Sequence, residues 1–340
     1  MNIDKAYVLN LAEEILRIPS PSGYTKEVVN SIKKEADAFG LHHETTQKGN
    51  LIIDVPGGTK RTVGLAVHVD TLGAMVRSIT DKGELRFTSI GGPSWPTLDG
   101  EYCTVITRKG AHYSGTILSD APAIHVHKEA KDKKRSPETM SVRIDERVHS
   151  KDDVKALGIE TGDYIVFDPK TTITKSGFVK SRFLDDKINV ASVFGLIKAL
   201  KDSQTTPKAS LKIIISTYEE VGHGAAHIPE LDELIAVDMG CVGDDLACTE
   251  EDVSICAKDS TGPYDYDLVS RFKSLAEDHS VNHAVDIYPM YGSDVSAARG
   301  GGNDFKGALI GPGVHASHGM ERTHYEGIKA TIELLYLYVN

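Results

Sequence analysis

Cysteine is scarce in this chain of 340 residues, which holds four: Cys103, Cys241, Cys248 and Cys256. Four are too few to staple a protein of this length, and they lack the paired CxxC spacing of a structural zinc site. Buried free thiols are expected. Tryptophan occurs once, as Trp95, which leaves little surface for stacking against sugar rings. No apolar run approaches the roughly 18 residues of a membrane span. The N-terminal MNIDKAYVLNLAEEILRI interleaves charge with apolar residues, as an amphipathic helix does and a secretory signal does not. Positive charge is in deficit, with 38 Lys and Arg against 49 Asp and Glu and a net charge of −11. Such a chain repels phosphate backbones and anionic lipid. Its one basic run, Lys128 to Arg135, is interrupted by Glu129 and Asp132 and has no interleaved aromatics, so it reads as an exposed loop. Neither nucleic acid nor membrane is an expected partner, and the expected location is cytoplasmic.

Hydrophobic residues make up 40% and charged residues 26%, the composition of a folded globular protein. At ~150 residues per domain the length allows about two domains, or one α/β body with an insertion. A first amphipathic helix carries Tyr7, Leu11, Ile15 and Ile18 and ends before Pro19, because a residue preceding proline is pushed out of the α region. After the turn Pro19-Ser20-Pro21-Ser22-Gly23, a second helix carries Val28, Val29, Ile32, Ala36 and Phe39 and stops at Gly40. Two strand-like runs follow, Leu51–Val55 and Val63–Val69, separated by Pro56-Gly57-Gly58. From Leu72 to Asp168 the texture becomes β-rich and glycine-punctuated, with no helix signal until the cap at Ser150. Beyond it a helix runs through Val190, Phe194, Ile197 and Leu200, then strands at Leu211–Ser216 and Leu234–Val237. The expected fold is α/β, a mostly parallel sheet with helices on both faces formed by residues 1–71 and 169–340, interrupted by a small β-barrel-like domain at 72–168.

Polar residues collect where apolar runs end, which in open α/β sheets is where ligands bind. His68 and Asp70 end Ala-Val-His-Val-Asp, two apart and so on one face of a strand. Asp185-Asp186 precedes Lys187. Glu219-Glu220 ends a run expected to be buried, where like charges need a compensating cation. Asp238 ends Leu234–Val237, and His315, His318 and His324 share one polar loop. Each feature alone fits an ordinary surface pair, cap or loop. Together they supply two histidines and several carboxylates, the ligand set of zinc, cobalt or manganese.

With these motifs, and with Ser20-Pro21-Ser22-Gly23, Leu72-Gly73 and Leu157–Asp163, nearly the whole chain resembles the TET-type dinuclear metalloaminopeptidases. That family includes glutamyl and deblocking aminopeptidases and proteins once labelled endoglucanases. The resemblance implies a zinc-peptidase-like catalytic domain and two divalent metal ions per subunit, zinc or cobalt with manganese as a further option. It implies that His68 and Asp238 bind one ion, that Glu220 and His318 bind the other, and that Asp185 bridges them. Glu219 becomes the general base, Asp70 orients His68, and Ser293 and Asp294 become candidates for the substrate pocket. The sequence departs from the family at Tyr218, where glutamine is common, and in His-Gly-Met-Glu-Arg-Thr-His around the last ligand. His315 and His324 therefore stay beside His318 as alternatives, with His318 favoured by its spacing from a C-terminal helix expected at Gly327–Leu337. The implied activity is removal of N-terminal residues from short peptides by a homo-oligomer, a dimer or a tetrahedral dodecamer, assembled through the β domain.

Three other functions compete. A deacylase or carboxypeptidase-like amidohydrolase would share the metals, but such relatives insert their lid after the Glu-Glu strand, not before the Asp-Asp pair. A two-carboxylate glycosidase leaves His68 and His318 without a role. An inactive scaffold has no need of a full ligand set.

Overall fold

The computed structural model describes residues 1–340 and divides into two compact units, Met1–Thr71 with Lys170–Asn340, and Leu72–Pro169.

The first unit begins with helices α1 (Lys5–Arg17) and α2 (Lys26–Ala38) and strands β1 (His42–Thr45), β2 (Leu51–Val55) and β3 (Thr62–His68). Asp4 caps α1 by accepting the Tyr7 N–H. At the other end, the fully buried Lys187 donates its ammonium to the carbonyls of Ile15 and Ile18 at 2.9 and 2.6 Å, satisfying acceptors that a helix end leaves open. Val8, Leu11, Ala12 and Ile15 form the buried stripe, while Tyr7 lies at its margin.

The second unit is a closed barrel in the order β4-β5-β8-β7-β6-β9. Its strands are β4 (Gly73–Ile79), β5 (Leu85–Ile90), β6 (Tyr102–Ile106), β7 (His112–Ser119), β8 (Met140–Ile144) and β9 (Tyr164–Phe167). Closure removes free strand edges, and Val76, Phe87, Val105, Ile117, Met140, Val142 and Ile165 fill the interior. The first and last strands pair directly, with Ala74 opposite Ile165. Trp95 stacks on Phe87 at 5.1 Å. One short helix, α3 (Lys151–Ala156), starts at Ser150, whose hydroxyl accepts the Asp153 N–H.

The chain then returns to the first unit with β10 (Thr172–Ile173), β11 (Phe178–Ser181), helix α4 (Leu184–Asp202), β12 (Ser210–Ser216), β13 (Glu233–Val237) and β14 (Gly240–Cys241). There follow β15 (Val253–Asp259), β16 (Gly262–Pro263), α5 (Tyr266–Asp278), β17 (His283–Ile287), α6 (Asp294–Gly300), β18 (Lys306–Val314), β19 (Glu321–His324) and α7 (Tyr325–Val339). The main sheet has the order β1-β2-β12-β3-β13-β18-β15-β16. Its centre, β12-β3-β13-β18, is parallel, and β2 and β15 add antiparallel flanks. The Pro56-Gly57-Gly58 turn does not make a hairpin, because β12 inserts between β2 and β3.

Strand periodicity sends alternate residues to opposite faces. Ala66, Ile214, Ala236 and Leu309 pack with Val295 and Ala298 of α6. The intervening Leu65, Val67, Ile213, Ile215, Ile235, Val237 and Ile310 are equally buried, with α4 and α7 packed on β3 and β18. Both faces are therefore covered, as a parallel sheet requires. No helix is long and apolar enough to cross a membrane.

Candidate metal centre

The strand ends of the parallel centre bring the acids and histidines into one place. His68 closes β3 and is 1% exposed. Its Nδ1 lies 3.0 Å from the main-chain oxygen of Asp70, whereas the Asp70 carboxylate stands at 3.6 Å. The other ring nitrogen, Nε2, faces Asp185 Oδ1 at 3.0 Å and Glu219 Oε2 at 3.7 Å. Asp185 sits at the start of α4 and is joined to Asp186 by a cis peptide bond. Its second oxygen lies 3.5 Å from His318 Nε2, which in turn stands 3.7 Å from Glu220 Oε2. Asp185 thus presents one carboxylate oxygen to each imidazole.

Two sets of potential ligand atoms lie within 4.8 Å of one another: those of His68, Asp186 and Asp238, and those of His68, Asp185 and Glu220. Asp238 follows β13, and its Oδ1 accepts the Met239 N–H at 2.6 Å. Its approach to β18 is close, since a Cβ at Gly311 would collide with the Asp238 carbonyl. Glu219 and Glu220 occupy a 3-10 turn after β12. Their N–H groups donate to the Asp70 carboxylate at 3.1 and 3.3 Å, and Ser22 donates its hydroxyl to the same carboxylate at 2.5 Å. Asp70 therefore orders the glutamate turn through its carboxylate and His68 through its carbonyl.

Burial dominates the electrostatics. It pushes the Glu219 carboxyl well above its usual range, against the pull of His68 and with the help of Asp238 and Asp294. Glu220 rises well above its usual range through burial and the neighbouring Asp185. Asp238 is pushed up to about 7 by burial and Asp185. Asp185 is the exception: hydrogen bonds to His318 and His68 outweigh burial and hold it below the ordinary carboxylate range. One oxygen of Glu220 is buried with no hydrogen-bond partner, a costly state for a carboxylate unless a cation meets it. The mixed imidazole and carboxylate donors suit a borderline divalent metal, so the residues present fit such an ion.

Residues 49–334 match the family model described as M42 glutamyl aminopeptidase. The chain belongs to this family. It is 45% identical over 334 residues to "Putative aminopeptidase YhfE" of Bacillus subtilis (strain 168), covering 97% of this chain and 96% of that protein. Many solved structures share the fold, two TET peptidases among them. The TET1 peptidase of Pyrococcus horikoshii has a TM-score of 0.84 at 24% identity, covering 98% of this chain and 99% of that one. The TET aminopeptidase of Thaumarchaeota archaeon SCGC AB-539-E09 has a TM-score of 0.88 at 19% identity, covering 98% and 96%. This M42 chain is a peptidase, an aminopeptidase with candidate metal-binding residues.

The three histidines of the last loop separate in this M42 aminopeptidase. His318 turns toward Asp185 and Glu220, at a backbone φ of +62°. His324 caps α7, packs edge-on against Phe178 and reaches the Ser176 carbonyl at 2.8 Å. His315 is exposed and pairs through its main chain with Arg322. Ser293 lines a cavity of about 1430 Å³ beside the cluster, along with Tyr288, Met290 and Tyr291. Asp294 faces inward instead, where its oxygens accept from Ser216 Oγ at 2.6 Å and the Ala225 N–H at 2.7 Å.

Three site residues escape sequence reasoning. Asp186 accepts the His68 N–H at 3.0 Å and the Asn189 amide at 2.7 Å; the doubled acid is visible in sequence, but not the division of labour within it. Glu321 accepts main-chain N–H groups of Asp185 and His318. Tyr291, whose phenol donates to the Met239 carbonyl at 3.1 Å, sits in an irregular stretch with no pattern to mark it.

Proposed function

We propose that this aminopeptidase releases residues from free N-termini of short peptides with two divalent ions, zinc or cobalt, or manganese. In this reading His68 and Asp238 hold one ion, Glu220 and His318 hold the other, and Asp185 bridges them. When bound, such a pair acidifies water and polarises the scissile carbonyl. Glu219 accepts the proton of the attacking water on its carboxylate and returns it to the departing amine. Asp70 holds Glu219 and Glu220 by their N–H groups and His68 by its ring. On this reading Ser293 contributes to the substrate pocket, supported by its position in the lining of the cavity, and Asp294 stiffens the wall.

The observation that carries this reading is Asp185 set between two imidazoles at 3.0 and 3.5 Å, beside a Glu220 oxygen with no hydrogen-bond partner. The test is hydrolysis of aminoacyl-nitroanilides beside their N-acetylated counterparts, using chelator-stripped protein with zinc, cobalt or manganese restored. Metal-dependent cleavage confined to free amines is expected. Equal cleavage of the acetylated set would move the reading to a deacylase.

The barrel at 72–169 is assigned to homo-oligomerisation, as the P. horikoshii TET1 peptidase can assemble into a tetrahedron or a large octahedral shell. Light scattering on the full chain should give a multiple of the 36.9 kDa subunit mass; a monomer at micromolar concentration would refute it. The four free cysteines accord with a cytoplasmic location.

A further inference from the structure

We propose that Glu321 is a positioning residue, whose single carboxylate sets the main chain of Asp185 and His318 in register with each other. The inference rests on reading those two residues as metal ligands. Glu321 opens β19, where it stands opposite Ser181 at the end of β11. From Ser181 the chain passes through Arg182 and Phe183, the latter in the left-handed region at φ +68°, and reaches Asp185 at the start of α4. This reversal returns the Asp185 N–H to Glu321 Oε2, which accepts it at 3.1 Å. The other oxygen, Oε1, accepts the His318 N–H at 2.9 Å.

His318 also lies in the left-handed region, where a side chain costs about 1 kcal/mol or more and needs a local restraint. Glu321 restrains its N–H, while Arg182 Nη1 donates to the carbonyl of the next residue, Gly319, at 3.1 Å. The segments before α4 and after β18 are thereby tied together at the points where they carry their ligands. Glu321 is 2% exposed, and each of its oxygens faces a main-chain N–H, so it acts on the centre through Asp185 and His318. Asp70 relates to Glu219 and Glu220 in the same way. Each of these carboxylates fixes two neighbouring site residues by backbone hydrogen bonds.

Glu321→Gln nearly preserves shape but turns one acceptor into an N–H₂ group facing an N–H. In calorimetric titration of chelator-stripped full-length protein with zinc, affinity should fall about 10- to 100-fold. At saturating zinc, kcat should fall with KM for a nitroanilide substrate held. If Glu321→Gln fails to fold, Glu321→Asp decides: it keeps the charge but shortens the reach, and the same split should appear in smaller degree. A folded variant with wild-type zinc affinity and kcat overturns this inference alone, and so does a lowered melting temperature with unchanged zinc affinity. Wild-type protein that takes up none of zinc, cobalt or manganese overturns the ligand reading and this inference with it.

Discussion

Glu219→Gln should lower kcat by about 10²- to 10⁴-fold, the usual contribution of a positioned general base, while zinc per chain stays at the wild-type level. Glutamine keeps the shape of the side chain and cannot accept the proton. The turn holding it is fixed through main-chain bonds to Asp70, which the substitution leaves untouched. Metal content read by atomic emission therefore separates loss of the base from collapse of the site. Near-normal turnover by a metal-replete variant would remove Glu219 from this role.

Asp185→Ala is expected to do more. Its carboxylate stands between His68 and His318, and on the proposed reading both ions lose a ligand at once. Alanine also strips His68 Nε2 and His318 Nε2 of the carboxylate they share. Stoichiometric zinc uptake should be lost, and peptidase activity with it, whatever metal is supplied. Added metal should not restore binding, whereas the Glu219 variant keeps its metal throughout. Retention of two zinc ions per chain after dialysis would show that Asp185 is not the bridge.

The elements that could be read from sequence are those with local apolar patterns. Helices α1, α2 and α4 and strands β2, β3, β12 and β13 each carry an amphipathic stripe or a dense aliphatic run. Strand β18 is different. Its sequence Lys-Gly-Ala-Leu-Ile-Gly-Pro-Gly-Val looks like loop, yet it lies in the parallel centre of the sheet. Its glycines serve contacts that are distant in sequence: Gly311 packs on the Asp238 main chain, and Gly313 on that of Thr249.

The site shows the same limit. Glu219, Glu220 and Asp238 stand out as acids that end apolar strands, whereas His68 and Asp185 are ordinary by themselves and are singled out only by the joint pattern and the family resemblance. Composition cannot distinguish three histidines in ten residues; the left-handed turn at His318 and the capping bond of His324 do. Asp294, marked by position as a residue of the pocket or of its support, accepts hydrogen bonds from Ser216 and Ala225, contacts that no spacing rule announces.

The direct pairing of the barrel's first and last strands bears on how the chain folds. Strand β3 must find β12 as its parallel neighbour across some 140 intervening residues, most of them in segment 72–169. Once β4 and β9 have paired, that segment is already closed at its base. The loop left to close is shorter by roughly a factor of three, which lowers its entropic cost by about 1 kcal/mol. Early formation of the barrel would thus act as a clasp in the folding of the catalytic sheet.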